Sequence, residues 1–104
     1  MDLLPVTTVV NIRNEQTYDV YIGRVFGVLG QSPFNNPFLI GADGNRAEVI
    51  EKFAEYWYAP EQAVLRRKAV EQLRGKILGC WCKPNLCHGD IIAGYVNWKM
   101  EHGQ

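Results

Sequence analysis

All three cysteines and one of the two histidines of the chain lie within nine consecutive residues, from Cys80 to His88. Thiols and imidazoles bind soft metal ions, and they also act as nucleophiles and bases in catalysis. A core that merely contains cysteines is not expected to gather them so densely. This segment is therefore the first place in the sequence to look for chemistry.

Metal binding is one interpretation of the segment. Alternation along a strand places Cys80 and Cys82 on the same face. A turn at Pro84-Asn85 then returns Cys87 and His88 towards that face. Three thiolates and one imidazole match the tetrahedral coordination of structural zinc, although the spacing C-x-C-x4-C-H differs from a pair of C-x2-C knuckles. The expected zinc ligands are Cys80, Cys82, Cys87 and His88.

A reactive thiol is a second interpretation, and simple packing is a third. Cys87 precedes a predicted helix N-terminus, where the helix dipole lowers the pKa of a thiol. The candidate catalytic residues are then Cys87 as nucleophile, His88 as base and Asp90 as the orienting carboxylate, with Cys82 as the alternative nucleophile. In the third interpretation, the cysteines are small apolar side chains in a buried strand and turn. The sequence leaves all three interpretations open.

Arg24, Asn36 and Arg46 are the candidate ligand-binding residues. Arg24 ends a predicted strand, and Arg46 begins a predicted helix, where free backbone amides favour anions and an arginine adds a bidentate fork. Asn36 lies in an Asn-Pro-Phe loop and offers a polar group. Taken singly, each arginine is equally compatible with a solvated surface charge. Together they predict phosphate or carboxylate recognition, although the chain contains no Walker or dinucleotide-binding glycine motif.

The elements that position these residues begin with two strands. β-branched residues predict strands over 7–13 and 18–23, and their short connection favours an antiparallel hairpin. A long loop over 25–45 follows, with a short strand at 38–40. A loop of this length in a small domain is often functional.

Helices and a third strand make up the rest of the chain. Asn45 and Glu48 form a capping-box pattern, so helices are predicted over 46–59 and 60–74. An apolar strand over 77–82 is expected at the centre of the sheet, and a last helix begins near Gly89-Asp90.

The order of elements predicts an α/β fold, namely a small sandwich with a mixed sheet of three to four strands and about three helices. A right-handed crossover makes the second strand parallel to the third. Their carboxyl ends, at Arg24 and at Cys80–Cys82, then meet at one edge of the sheet. Open α/β sheets bind ligands at that edge.

Length and charge limit the classes of function. The 104 residues predict a single domain with a core over about 7–98, and 11 basic residues balance 11 acidic ones. Non-specific nucleic-acid binding is not expected without a positive excess. No apolar run reaches the roughly 20 residues of a membrane span, and no signal-peptide pattern is present. Three cysteines in one segment do not form a disulfide framework, so a cytoplasmic location is predicted.

Several short motifs occur in a fixed order along the chain: Tyr21–Arg24, Asn36–Phe38, Gly44–Arg46, Leu73–Lys76, Cys80–Pro84 and Cys87–Asp90. In this combination they resemble a family of phage and bacterial domains of unknown function. The cysteine–histidine motif is the specific part of the resemblance. It implies a phage or bacterial cytoplasmic setting and one site built from these segments, and it implies no reaction.

Two functional hypotheses follow. In the first, the domain binds or processes a phosphate-bearing small molecule or nucleotide, held by Arg24, Asn36 and Arg46. In the second, it is a non-catalytic, zinc-stabilised interaction module, such as a phage accessory protein that binds a host protein. The sequence does not decide whether the domain is an enzyme.

Overall fold

A computed structural model describes residues 6–14 and 17–102 of the chain. Within these residues it contains a three-stranded sheet and three α-helices, so the predicted α/β class is confirmed. The strands are β1 (Thr8–Asn11), β2 (Val20–Tyr21) and β3 (Ile77–Cys80). The α-helices are α1 (Arg46–Tyr58), α2 (Ala63–Leu73) and α3 (His88–His102), and a 3-10 turn (Pro60–Gln62) joins α1 to α2.

The sheet has the order β1-β3-β2, and β3 runs parallel to both of its neighbours. Leu78 pairs with Val9 on one side and with Val20 on the other. The predicted parallel pairing of the second and third strands is confirmed. The predicted antiparallel hairpin is wrong, and the described sheet is parallel rather than mixed. The reason is that β3 is strongly apolar and buries Leu78 and Cys80, and only the central position covers both of its edges.

The helices begin and end close to their predicted positions because local signals determine them. The Asn45 side chain accepts a hydrogen bond from the Glu48 amide, and the Glu48 side chain accepts one from the Asn45 amide, so the predicted capping box is confirmed. The predicted short strand at 38–40 is wrong. The amide of Leu39 donates instead to Oδ2 of Asp43 at 2.8 Å, which holds this segment as a loop.

The core lies between the sheet and the helices. Phe53 and Trp57 on α1 are both fully buried in it. On α3 the buried face is formed by Ile92, Ala93 and Val96, whereas Trp98 is 53 % exposed. A Cβ atom at Gly89 would lie 2.7 Å from Cδ1 of Ile22, so the first turn of the helix approaches the sheet closely at this glycine. This close approach fixes the rotation of α3 about its axis.

Among residues 6–14 and 17–102, no helix combines the length and the apolar character that crossing a bilayer requires.

Candidate functional site

A cavity of about 400 Å³ lies where β2 and β3 end. The chain passes from β2 into Gly23-Arg24 and from β3 into Trp81-Cys82, and both segments line the cavity. The loop over 36–40 and the start of α1 form the remaining walls. The cavity therefore occupies the sheet edge at which α/β proteins bind ligands.

The cavity brings together most of the residues that sequence analysis proposed for a site. The predicted residues that line it are Arg24, Asn36, Arg46, Cys80, Cys82 and His88. Cys87 and Asp90 are absent from the lining of this cavity. Cys87 instead interacts with the thiol of Cys82, and Oδ2 of Asp90 accepts a hydrogen bond from the amide of Cys87 at the start of α3. The proposed roles of all these residues stay predictions.

Arg24 fastens the loop that forms one wall of the cavity. Its Nη2 donates hydrogen bonds to the carbonyl oxygens of Asn36 at 2.5 Å and of Phe38 at 2.7 Å. The side-chain Oδ1 of Asn36 in turn accepts from the amide of Phe38 at 2.9 Å, which stabilises the same turn. Both residues thus help to build the wall that any ligand would contact.

Arg46 is the first residue of α1, and its side chain extends towards the cysteine segment. Its Nη1 donates to the carbonyl oxygen of Leu86 over a long 3.4 Å, and its positive charge favours the thiolate form of Cys82. The backbone amides of Asn45 and Glu48 are already occupied by the capping box. An anion at this end of α1 would therefore not bind these two amides, whereas the guanidinium lines the cavity.

The three cysteines form a cluster of interacting free thiols, defined here as Cys80, Cys82 and Cys87. Hydrogen bonds from Cys80 and Cys87, with a further contribution from Arg46, lower the pKa of the Cys82 thiol well below its ordinary value. Hydrogen bonding to its neighbours raises the pKa of Cys87, and burial raises it further. The negative charge of the cluster is consequently expected on Cys82, which is half-buried and lines the cavity.

Cys87 caps α3. Its Sγ accepts a hydrogen bond from the amide of Gly89 at 3.3 Å, and Oδ2 of Asp90 accepts one from the amide of Cys87 at 3.3 Å. This arrangement resembles a capping box, with sulfur in place of the usual hydroxyl oxygen and with the second amide of the helix, rather than the third, as its donor. Oδ1 of Asp90 also forms an ion pair with Lys83 at 3.1 Å. The observed contacts of Asp90 therefore stabilise the helix start.

His88 is buried between β2, α1 and the cysteine cluster. Its Nε2 lies 2.9 Å from the carbonyl oxygen of Ile22, and because a carbonyl only accepts, Nε2 must carry the proton. In the neutral ring, Nδ1 is then the acceptor, 3.8 Å from Sγ of Cys87. Burial lowers the pKa of His88, so the neutral ring is favoured. The orienting partner of this imidazole is a backbone carbonyl.

The donor set predicted for zinc consists of the cysteine cluster and the adjacent His88. Across the described part of the chain, no group of three or more histidine, cysteine, aspartate or glutamate side chains is placed to hold a metal ion. Zinc binding by the cysteine cluster with His88 stays a prediction, which elemental mass spectrometry of the purified protein would check.

An aromatic wall beside the cavity was not predicted from the sequence. Nε1 of Trp81 donates to the hydroxyl of Tyr21 at 2.9 Å, and the ring of Phe26 meets that of Trp81 edge-on at 4.9 Å. Arg13 covers the Trp81 ring with its guanidinium 5.1 Å from the centroid. The sequence signal that could have predicted this wall is the position of Trp81 between two candidate site cysteines. Its partners are separated from it by more than fifty residues of sequence and could not be inferred from spacing.

The fold and the site together define a small α/β domain with a parallel sheet and a candidate ligand cavity at the carboxyl ends of its strands. The chain belongs to the DUF4326 family, described as a domain of unknown function, whose model matches residues 10–98. The resemblance to a family of unknown function is thus confirmed, while the individual motifs stay predictions.

One relative comes from Enterobacteria phage T4, where it is described as the uncharacterized 12.4 kDa protein in the nrdA-td intergenic region. The two sequences are 43 % identical over 60 residues, which is 56 % of this chain and 56 % of the phage protein. The chain therefore matches only about half the length of this relative. No solved structure matches the chain.

Proposed function

We propose that the chain binds a phosphate-bearing small molecule of nucleotide size in the cavity at the ends of β2 and β3. The observation that carries this proposal is the convergence of Arg24, Asn36, Arg46 and Cys82 from four separate segments on one cavity. Its volume of about 400 Å³ falls within the range of roughly 300–1,000 Å³ that is usual for ligand pockets.

Arg46 is the residue proposed to bind the anion. Arg24 uses its Nη2 to hold two carbonyl oxygens of the loop, whereas the one backbone contact of Arg46 is long. A guanidinium has five N–H donors in a fixed fork that matches the geometry of a phosphate. Arg46 can therefore keep its contact with the cluster and still donate to a ligand, and Arg24 adds positive charge to the same cavity.

The apolar lining favours a ligand that also has a planar ring. Tyr21, Phe26, Phe38 and Trp81 line the cavity, and the exposed side chains of Leu39 and Ile40 extend its rim. Aromatic side chains provide sequence-tolerant stacking surfaces for nucleobases. A nucleotide is therefore preferred over a sugar phosphate. Catalysis by Cys82, Cys87, His88 or Asp90 stays a prediction.

Ligand binding is tested by calorimetry with nucleoside monophosphates, the corresponding nucleosides, ribose 5-phosphate and inorganic phosphate. We expect at least one nucleoside monophosphate to bind more tightly than its nucleoside and than ribose 5-phosphate. Loss of a charge-assisted hydrogen bond costs about 1.5–3 kcal/mol, so Arg46→Gln should weaken binding by about tenfold to a hundredfold.

Arg67→Gln is the matched control, because Arg67 is an exposed arginine on α2 that does not line the cavity. Its affinity for the nucleotide should equal that of the unmodified protein. Failure of every phosphate compound to bind, or equal affinities for Arg46→Gln and Arg67→Gln, would rule out the proposed function.

A further inference from the structure

A second concave surface, the α2–α3 groove, lies on a different part of the molecule. It has a volume of about 600 Å³ and is lined by residues of α2 and its C-terminal end together with residues of α3. Among the described residues it shares no lining residue with the cavity. Along α2 the lining positions extend from 63 to 74, which corresponds to about 16 Å of helix at 1.5 Å per residue.

The α2–α3 groove is strongly basic although the chain as a whole is neutral. Arg66, Arg67, Arg74 and Lys99 line it, and Glu71 is the one carboxylate among its described lining residues. The complete chain has 11 basic and 11 acidic residues. Four cations facing one groove therefore represent a local excess that favours an acidic partner.

Apolar side chains occupy the same groove. Val70, Tyr95 and Met100 line it between the cationic groups. Arginine, tyrosine and methionine are among the residue types that protein–protein interfaces favour over the rest of a protein surface.

Two of the arginines are held in place before any partner binds. Nη1 of Arg66 donates to the carbonyl oxygens of Trp57 at 2.6 Å and of Ala59 at 2.8 Å. Nη1 of Arg74 lies 3.9 Å from Sδ of Met100 across the groove. Such contacts reduce the conformational entropy that side chains lose on association.

We propose that the α2–α3 groove docks an acidic, amphipathic segment of a partner protein. Apolar side chains of that segment would pack on Val70 and Met100, while its carboxylates would pair with Arg67 and Arg74. The apolar side chains of Val70 and Met100 offer contacts that a phosphate backbone cannot use, which favours a peptide over nucleic acid. A second copy of this chain would oppose one basic groove to another.

Fluorescence anisotropy at about 0.15 M ionic strength tests the proposal. The probes are a labelled peptide of glutamate and leucine with leucine at helical i, i+4, i+7 spacing, a scrambled peptide of equal composition, and a single-stranded DNA oligonucleotide. We expect the amphipathic peptide to bind at least about tenfold more tightly than the scrambled one. Arg67→Glu with Arg74→Glu should weaken it by about tenfold or more.

Lys68→Glu is the matched control, since Lys68 is exposed on α2 outside the groove lining and should leave the affinity unchanged. If circular dichroism shows that the double variant is unfolded, the exposed Arg67→Glu change alone is used. Equal binding of both peptides, equal loss with Lys68→Glu, tighter binding of the oligonucleotide, or a dimer that Arg67→Glu dissociates would each overturn the proposal.

Discussion

The sulfur atoms of Cys80, Cys82 and Cys87 interact with one another, and only one of them can lose its proton easily. A thiol that donates to a neighbouring thiolate loses that hydrogen bond when it ionises, so its own pKa rises. The thiolate is therefore expected on Cys82, which the neighbouring Arg46 also favours. At the scale of single residues, this places a nucleophilic sulfur inside the proposed ligand cavity.

Alkylation by iodoacetamide between pH 5.5 and 8.5 tests this assignment. Because the pKa of Cys82 is lowered, its thiolate should persist across this range, and its alkylation rate should vary little. At pH values below its ordinary pKa, the same cysteine in the denatured chain should react about tenfold faster for each unit by which the pH rises. Peptide mapping identifies the modified residue.

Two variants of Cys80 separate the hydrogen bond from other effects. Cys80→Ala removes a donor to Cys82 and should shift the pH dependence towards that of the denatured chain, whereas Cys80→Ser keeps a donor and should change it less. Preferential alkylation of Cys87 in the folded protein, or a Cys82 rate that follows the denatured chain, would contradict the assignment.

At the scale of elements, the start of α3 depends on a cysteine in a position that serine or threonine usually occupies. The sulfur of Cys87 accepts from the amide of Gly89, and Oδ2 of Asp90 accepts from the amide of Cys87. Since Cys87 is fully buried, its replacement also affects the packing of α3 against the core. Helix stability and the geometry of the cysteine cluster are thus linked through one side chain.

Urea unfolding of Cys87→Ser and Cys87→Ala tests the capping role. Serine retains an acceptor for the amide of Gly89, whereas alanine leaves that amide without its cap. Loss of a cap costs about 0.5–2 kcal/mol, so alanine should lower the free energy of unfolding by about that amount relative to serine. Equal stabilities of the two variants would show that the sulfur contributes packing rather than capping.

The elements also show which features the sequence could predict. The capping box of Asn45 and Glu48 involves residues three positions apart, so local chemistry was sufficient. The pairing of β1 and β2 with β3 involves residues more than fifty positions apart, and short connection length favoured a hairpin that does not form. Arg24 was identified as a site residue, but its use as a clamp on the carbonyls of Asn36 and Phe38 depends on a loop conformation that sequence spacing does not encode.

At the scale of the whole molecule, His88 connects elements that are distant in sequence. It is the first residue of α3, it bonds to the carbonyl oxygen after β2, and its ring meets that of Phe53 on α1 edge-on at 5.2 Å. Only 6 % of the residue is exposed, so protonation would place a charge where water cannot solvate it. The stability of the whole fold should therefore depend on the protonation of this ring.

Chemical denaturation at a series of pH values, with His88→Gln as the comparison, tests this dependence. The pKa of His88 is lower in the folded state than its ordinary value of 6.5, so below pH 6.5 the unfolded chain binds a proton that the folded protein does not. Stability should consequently fall as the pH decreases below 6.5, by up to about 1.4 kcal/mol per pH unit. The Cys82 thiolate adds a change of the same sign, and comparison with the glutamine variant removes this shared contribution.

The advantage of the protein over His88→Gln in free energy of unfolding should therefore shrink between pH 7 and pH 5. A constant difference between the protein and His88→Gln over this range would mean that the ring ionises as readily inside the fold as outside it. In that case the bond from Nε2 to the carbonyl oxygen of Ile22 would be strong enough to hold the charged ring, because both protonation states can donate it.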